Sequence, residues 1–232
     1  MKHLTKGMSP ADFEAWKEKA NSEWVPAYGN LQNPEKRSLH SALLAEQGSV
    51  CCYCGRSVSL EDSHIEHFRP QARYAPLELE YSNLHASCLR GQQRSMPRHC
   101  GHAKDNGFDE EQYIAPADPK CEQRFMYTLR GSIVPADRDD DRAKYMVDLL
   151  ALNAPTLRSL RDEVLSRTLD PEFLESATKE ELLQLRDGFR RRDATGKLPN
   201  LGHVVARYVE QGLAAPNNTP DDDVLQLAGE PS

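Results

Sequence analysis

The chain has no apolar run approaching the ~18 residues that a membrane-spanning helix requires. The longest, around Val147 to Leu152, is interrupted by Asp148. The opening Met1-Lys2-His3-Leu4-Thr5-Lys6 lacks the apolar stretch of a secretion signal. No membrane association is expected, and a cytoplasmic location is. Positive charge is also scarce: 29 Lys and Arg against 36 Asp and Glu leave a net charge of −7. A free-standing nucleic-acid binder is normally basic, so this balance argues against one. No internal repeat is visible, which excludes solenoid and propeller architectures. The 232 residues suffice for one good core and an appended lobe.

The charge is unevenly spread. Residues 214–232 carry Asp221, Asp222, Asp223 and Glu230, three prolines and no Lys or Arg. This segment reads as a disordered acidic tail. By contrast, Tyr81 to Lys104 holds Arg90, Arg94, Arg98 and Lys104 and no acid. A local +4 inside an acidic chain marks either an anion site or a solvated loop.

The periodic segments predict an α+β protein. Ser9-Pro10-Ala11-Asp12 has the N-cap, N1 and acidic first-turn pattern of a helix start, followed by Phe13 and Trp16. Asn33-Pro34-Glu35 starts a second helix, with Leu39, Leu43 and Leu44 on one face and a stop at Gln47-Gly48. Arg124 to Pro135 reads as a hairpin turning at Arg130-Gly131. Helices are expected over 140–152, 155–169, 179–192 and 201–213. Met146, Leu149 and Leu150 supply the apolar spacing of the first of these, and Leu157, Leu160 and Val164 that of the second. The expected organisation is N-terminal helices over 1–50, a Cys- and His-rich core with its hairpin over 51–135, a helical region over 136–213 and the tail over 214–232.

Six cysteines in a reducing compartment point to metal or core roles rather than disulfides. Cys51-x-x-Cys54 followed by Gly55 has the spacing of a zinc knuckle, in which a short turn aims two thiolates at one ion. Cys88 and Cys100 are the candidate second pair, with the eleven residues between them looping out. His99 competes with Cys100 for the last position. Four protein ligands leave no open coordination position, so such a zinc would be structural. Cys52 and Cys121 read as core residues.

The histidines lie in three groups: His64-Ile65-Glu66-His67-Phe68-Arg69-Pro70, Asn83-Leu84-His85-Ala86-Ser87-Cys88, and His99-Cys100-Gly101-His102-Ala103-Lys104-Asp105-Asn106. An acid directly before a histidine can hold a divalent cation while its neighbour activates water. Asn83 can bind backbone groups and steady the loop after His67. His102 can complete a hard-cation site with Glu66. His85 is expected to pack on the helix, and His3, His40 and His203 stand outside any motif.

The order His67…Asn83…His102, nested in Cys51-x-x-Cys54…Cys88…Cys100, resembles the HNH, or ββα-metal, nuclease signature. Glu66 stands where that family has Asp, and both offer an oxygen ligand. His102 lies one residue after the family's usual Asn, at whose place this chain has Gly101; Asn106 is the other candidate. More narrowly, the run of motifs from about Asn33 to Arg161 resembles the PtuB-type HNH proteins of Septu anti-phage systems and of related retron systems. The resemblance implies a zinc-knuckle ββα-metal core held by Cys51, Cys54, Cys88 and Cys100, and catalytic roles for Glu66, His67, Asn83 and His102. It also implies Mg²⁺ or Mn²⁺ on Glu66 and His102, and a PtuA-like ATPase of the ABC/SMC class as partner. In a retron setting, a reverse transcriptase and its RNA/DNA product would join it. The function it implies is phosphodiester cleavage in DNA or RNA as the effector of a defence complex. His67 would be the general base, and Lys104, Arg69, Arg90, Arg94 and Arg98 would hold substrate phosphates. The competing reading is a zinc-stabilised adaptor to the ATPase that cuts nothing.

Overall fold

In a computed structural model of the chain, residues 1–91 and 97–214 are described. Arg94 and nearly all of the acidic tail lie outside them. The periodic segments form helices as the patterns predict. Helix α1 (Ala11–Lys17) buries Phe13 and Trp16. Helix α2 (Glu35–Gln47) buries Leu39, Leu43 and Leu44 and stops at Gly48, whose φ of 68° is the left-handed cap that glycine adopts freely.

The central chain is short strand and loop. Strand β1 (Ser63–His67) pairs antiparallel with β2 (Leu84–Cys88), placing Glu66 opposite His85 and His67 opposite Leu84. A one-turn helix, α3 (Gly101–Lys104), follows the two strands. Two strands and a helix in this order give a small ββα unit, and α2 packs on β2.

The hairpin forms as β3 (Phe125–Tyr127) and β4 (Ile133–Pro135). Gly131 turns it at φ 75°, and a Cβ there would stand 2.1 Å from the Arg158 carbonyl, so only glycine lets the hairpin lie this close to the following helices. Helices α4 (Asp141–Leu149), α5 (Pro155–Thr168), α6 (Pro171–Ser176), α7 (Lys179–Arg190) and α8 (Gly202–Ala214) complete the described chain. Helix α6 was not foreseen; Asp170 caps it by accepting from the Phe173 amide. Thr178 and Glu181 form a capping box at the start of α7.

The buried face of α5 differs from the expected one. Leu157, Arg161 and Leu165 are buried, whereas Leu160 and Val164 are half-buried at its flank. Arg161 displaces them because its guanidinium donates to the carbonyls of Gly131 (2.6 Å) and Leu152, tying the hairpin and the α4–α5 connection to α5. One buried cluster runs from Phe13 and Leu39 through Cys51, Leu84 and Phe125 to Leu157 and Val204. No helix among the described residues is long and apolar enough to cross a membrane.

Candidate metal centre and catalytic cleft

The Sγ atoms of Cys51, Cys54, Cys88 and Cys100 all lie within 4.8 Å of one another, and all four residues are buried. Sulfurs bonded at ~2.3 Å to one tetrahedral zinc stand roughly 3.8 Å apart, and Cys54 and Cys88 are 3.8 Å apart. Four soft thiolates in this arrangement suit zinc. Burial opposes ionisation of Cys51, but the neighbouring cysteine thiols outweigh it and hold Cys51 well below the ordinary thiol range. His99, the competing ligand, sets its Nδ1 against Cys100 (3.2 Å) and Cys88 (3.6 Å). It borders the cluster, which four cysteines complete without it. Cys52 and Cys121 are buried core thiols, as expected.

Beside this cluster, β1 presents Glu66 and His67 to an open cleft of about 480 Å³, lined also by Ile65, Gln71, Glu78, Lys104 and Asn106. His67 Nε2 stands 3.0 Å from the Glu78 carbonyl. A carbonyl only accepts, so Nε2 carries the hydrogen and Nδ1 keeps the lone pair. The Gln71 amide nitrogen, 3.0 Å from both ring nitrogens, donates to that Nδ1, and the Tyr28 ring packs edge-on at 4.5 Å. Burial lowers the pKa of His67, keeping the imidazole neutral near pH 7.

Asn83 clamps the loop beyond His67. Its Oδ1 accepts from the Arg69 amide (2.7 Å), and its Nδ2 donates to the carbonyls of Arg69 (3.1 Å) and Leu77 (3.0 Å). A buried amide with donors and acceptors all satisfied locks its surroundings. The loop therefore returns the Glu78 carbonyl to His67 in a set position.

Glu66 is held from three sides. Tyr53 Oη donates to Oε1 (3.1 Å), the Lys104 ammonium pairs with Oε1 (2.9 Å), and His64 Nε2 faces Oε2 at 3.4 Å. Burial alone would raise its pKa, but His64 and Lys104 outweigh burial and keep the carboxylate ionised. Tyr53 accepts in turn from Tyr113 Oη at 2.8 Å. Because Tyr53 lies between the first two cluster cysteines, a hydrogen bond links the knuckle directly to the acid of the cleft.

His64 Nδ1 and His102 Nε2 both lie 2.7 Å from the Leu89 carbonyl, and the two rings are 4.6 Å apart. Both nitrogens must donate, so neutral His64 turns its Nε2 lone pair toward the Glu66 carboxylate. Two electron-rich atoms facing each other call for a proton or a cation between them. Burial disfavours protonating His64, yet Glu66 reverses this and its pKa is raised. Leu89 reaches this position with φ 69°, a costly conformation for a leucine.

The bare Cα of Gly101 borders the same spot. A Cβ on it would stand 2.5 Å from Glu66 Oε2 and 2.7 Å from His64 Nε2. Glycine thus keeps open a small cradle between an oxygen and a nitrogen donor, which suits a divalent cation. His64 lies directly against Glu66, and His102 adjoins through His64 and the shared carbonyl.

The expected phosphate contacts divide. Lys104 is 3% exposed and turned inward, donating also to the His67 carbonyl at 2.8 Å; it acts on the acid instead of projecting to solvent. Arg69 forms a two-pronged pair with Glu110 (3.1 and 3.2 Å) at the surface. Arg90 and Arg98 are exposed. Asn106, the alternative to His102, is an exposed residue of the cleft rim. His85 sits on β2 edge-on to Phe68, at 6.4 Å between centroids. His203, without a motif, is a buried residue whose ring covers Gly55 and whose Nε2 meets Tyr127 Oη at 3.1 Å.

A protein of Vibrio cholerae serotype O1 biovar El Tor is similar to about two thirds of this chain. It is named "Retron Vc95 putative HNH endonuclease" and is 29% identical over 161 residues, covering 66% of this chain and 75% of the relative. No family model matches the chain. The relative's name agrees with the HNH resemblance of the chain's motifs and carries a retron association of its own.

Tyr28, Tyr53, Gln71, Tyr113 and the Leu89 carbonyl were not singled out from sequence. Tyr53 alone had a local signal, its place between two knuckle cysteines. The others reach the site from loops whose spacing carries no motif.

Proposed function

We propose that this chain is a metal-dependent HNH nuclease that hydrolyses nucleic-acid phosphodiester bonds and serves a retron-linked defence complex. The observation that carries this reading is His67. It lines an open cleft with its Nδ1 as the acceptor nitrogen, covered only by the Gln71 amide that a water can replace, beside a carboxylate and an imidazole that leave a cradle between them.

His67 Nδ1 takes the proton of a water molecule, whose oxygen attacks phosphorus in line with the leaving 3′ oxygen. The Glu78 carbonyl holds the imidazolium that forms by accepting from Nε2. Gln71 and the Asn83-clamped loop orient the base. Glu66 and His64 would hold Mg²⁺ or Mn²⁺, with His102 beside them on the shared Leu89 carbonyl, and the ion would supply charge neutralisation for the phosphoryl and leaving oxygens. Lys104 keeps Glu66 ionised. The zinc cluster anchors β2 and α3, and through Tyr53 the acid itself.

The relative's retron setting supports a reverse transcriptase and its RNA/DNA product as companions. A PtuA-like ATPase is the partner that the PtuB resemblance implies, with the helical region 136–213 as its docking surface. The acidic balance fits this picture: alone, the chain binds nucleic acid weakly and in a salt-sensitive way.

The decisive experiment is cleavage by the purified chain, alone and with its ATPase, in Mg²⁺, Mn²⁺ and EDTA, for the parent and for His67→Ala. Metal-dependent cleavage lost in His67→Ala supports the nuclease. Full cleavage by His67→Ala would sink this mechanism, and metal-independent inertness in the assembled complex would favour the adaptor.

A further inference from the structure

A second cleft, of about 440 Å³, opens on the other flank of β1. Strand β1 forms its floor through Ser63, His64 and Ile65, and Ile65 also lines the catalytic cleft. Its wall is the first half of α2, which contributes Lys36, Arg37 and His40, and Arg90 closes the far side. Tyr28 stands at the junction. One part of its ring packs on His67 at 4.5 Å, and the Lys36 ammonium lies over the ring at 4.8 Å.

The charge of this cleft departs from that of the chain. Lys36, Arg37 and Arg90 face one acid, Glu61, so the lining is locally +2 in a protein of net −7. Many cations elsewhere on the helices are paired: Lys17 with Glu14, Lys144 with Asp141, Arg167 with Glu163, Arg190 with Glu122 and Glu210; others, such as Lys179, stand singly, whereas here three gather around one concave surface. None of Lys36, Arg37 and Arg90 makes an ion pair with a described carboxylate, and the two guanidinium groups make no hydrogen bond with a described residue. His40 is held in place by a 2.9 Å contact of Nε2 with Ser63 Oγ. Unpaired cations around a concave surface, next to a catalytic site, are the arrangement that holds an extended anion.

A nucleic-acid strand cannot offer one phosphate alone. A duplex carries one charge per about 1.7 Å of its axis, so phosphates on either side of the scissile bond must lie against the protein or against solvent. We infer that the α2 cleft is a binding subsite for the sugar-phosphate backbone flanking the scissile phosphodiester, with Lys36 and Arg37 as its principal contacts and Arg90 opposite them. This rests on the nuclease reading and extends it, since neither residue of α2 belongs to the HNH signature. The subsite recognises phosphate and is therefore common to DNA and RNA.

The test is binding of a short labelled DNA duplex and of a labelled RNA of the same sequence to the full chain carrying His67→Ala, which leaves the probe intact. Affinity is read by fluorescence anisotropy across a salt series. Adding Lys36→Ala and Arg37→Ala should weaken the bound probe about tenfold at low salt and make the salt dependence shallower by one to two units of log–log slope. Arg90→Ala alone should shift both readings in the same direction by less. Arg167→Ala, on the surface of α5, should leave them at the parent's values. The melting temperature of each variant, measured in parallel, separates lost contacts from lost folding. The milder Lys36→Gln with Arg37→Gln replaces any variant that melts early. Parent-like affinity and slope in a folded Lys36/Arg37 variant would overturn the subsite, whether the probe is DNA or RNA. Should cleavage by the unmutated chain remain metal- and His67-dependent in that case, the nuclease reading stands and only the subsite falls. Absence of any cleavage together with salt-sensitive binding that depends on Lys36 and Arg37 would do the reverse.

Discussion

The four-cysteine cluster and the cleft around His67 adjoin within one ββα unit, yet they are built on opposite terms. The cluster uses four identical donors, all buried, aimed at one point and closed to solvent. The cleft uses unlike donors, open to solvent on one side: a carboxylate held by Tyr53 and Lys104, and imidazoles whose tautomers are selected by backbone carbonyls. A saturated ligand set stabilises a fold, whereas groups whose partners a water or an ion can replace stay available for chemistry. Tyr53 joins the two regions, so the stable one positions the reactive one.

Removing a sulfur should break this comparison most severely. If the cluster holds zinc, Cys88→Ser or prolonged chelation removes a ligand set whose zinc binding in small domains is worth about 10–16 kcal/mol, comparable with the whole stability of a domain. Loss of cooperative melting together with loss of bound zinc by elemental analysis is the expected outcome; a variant that melts like the parent would show that the cluster is not a metal site. His67→Ala should do the opposite, leaving the melt near that of the parent while cleavage falls by about 10²–10⁴-fold, the usual contribution of a general base. A rate within a few-fold of the parent's would remove His67 from the reaction.

Gly101→Ala tests the cradle. The added methyl must push Glu66 and His64 apart, and a misplacement of about 1 Å at a catalytic group costs on the order of a hundredfold. Cleavage should fall accordingly, with zinc retained. Normal cleavage at unchanged Mg²⁺ or Mn²⁺ requirement would show that the cradle holds nothing. Tyr53→Phe should have a smaller effect: one hydrogen bond, about 1 kcal/mol or roughly fivefold in rate, seen as a higher metal requirement with the melt little changed.

Acid should sharpen the contrast between buried and open histidines. Burial pushes His85 down to about 3 and His203 well below its usual range. Both fold neutral, while the unfolded chain protonates them near pH 6.5. Their stabilisation is therefore complete above that value and is lost as pH falls from about 6.5 toward the folded values, by up to about 1.4 kcal/mol per pH unit for each. Urea midpoints should drop between pH 7 and 5, and His85→Gln should flatten that slope by about one proton; an unchanged slope would refute the assignment.

Much of the scaffold was legible because its signals are local. The cap at Gly48, the hairpin turn at Gly131 and the helices from residue 140 onward follow from short-range backbone rules. The error on α5 shows the limit. Spacing ranked Leu160 and Val164 as core, but a guanidinium that found two carbonyls took the buried face. Burial of a polar group is settled by its partners, and those lay in the hairpin and in the connection after α4. Helix α6 was missed for a related reason: it spans six residues, too few to show a period.

The sequence by itself determined the ingredients. A Cys-x-x-Cys turn, two further cysteines, a Glu-His pair and an asparagine in order are chemical facts of the chain, and their resemblance to a nuclease signature needs no coordinates. Only the tertiary structure decided how they meet. It set His102 beside His64 on the shared Leu89 carbonyl, turned Lys104 inward across 37 residues of sequence to the His67 carbonyl, and put the first half of α2 beside the reactive strand. These outcomes depend on which loop supplies a carbonyl and which cation finds a carboxylate. Such contacts form between segments far apart in the chain, where residue spacing carries no information about distance.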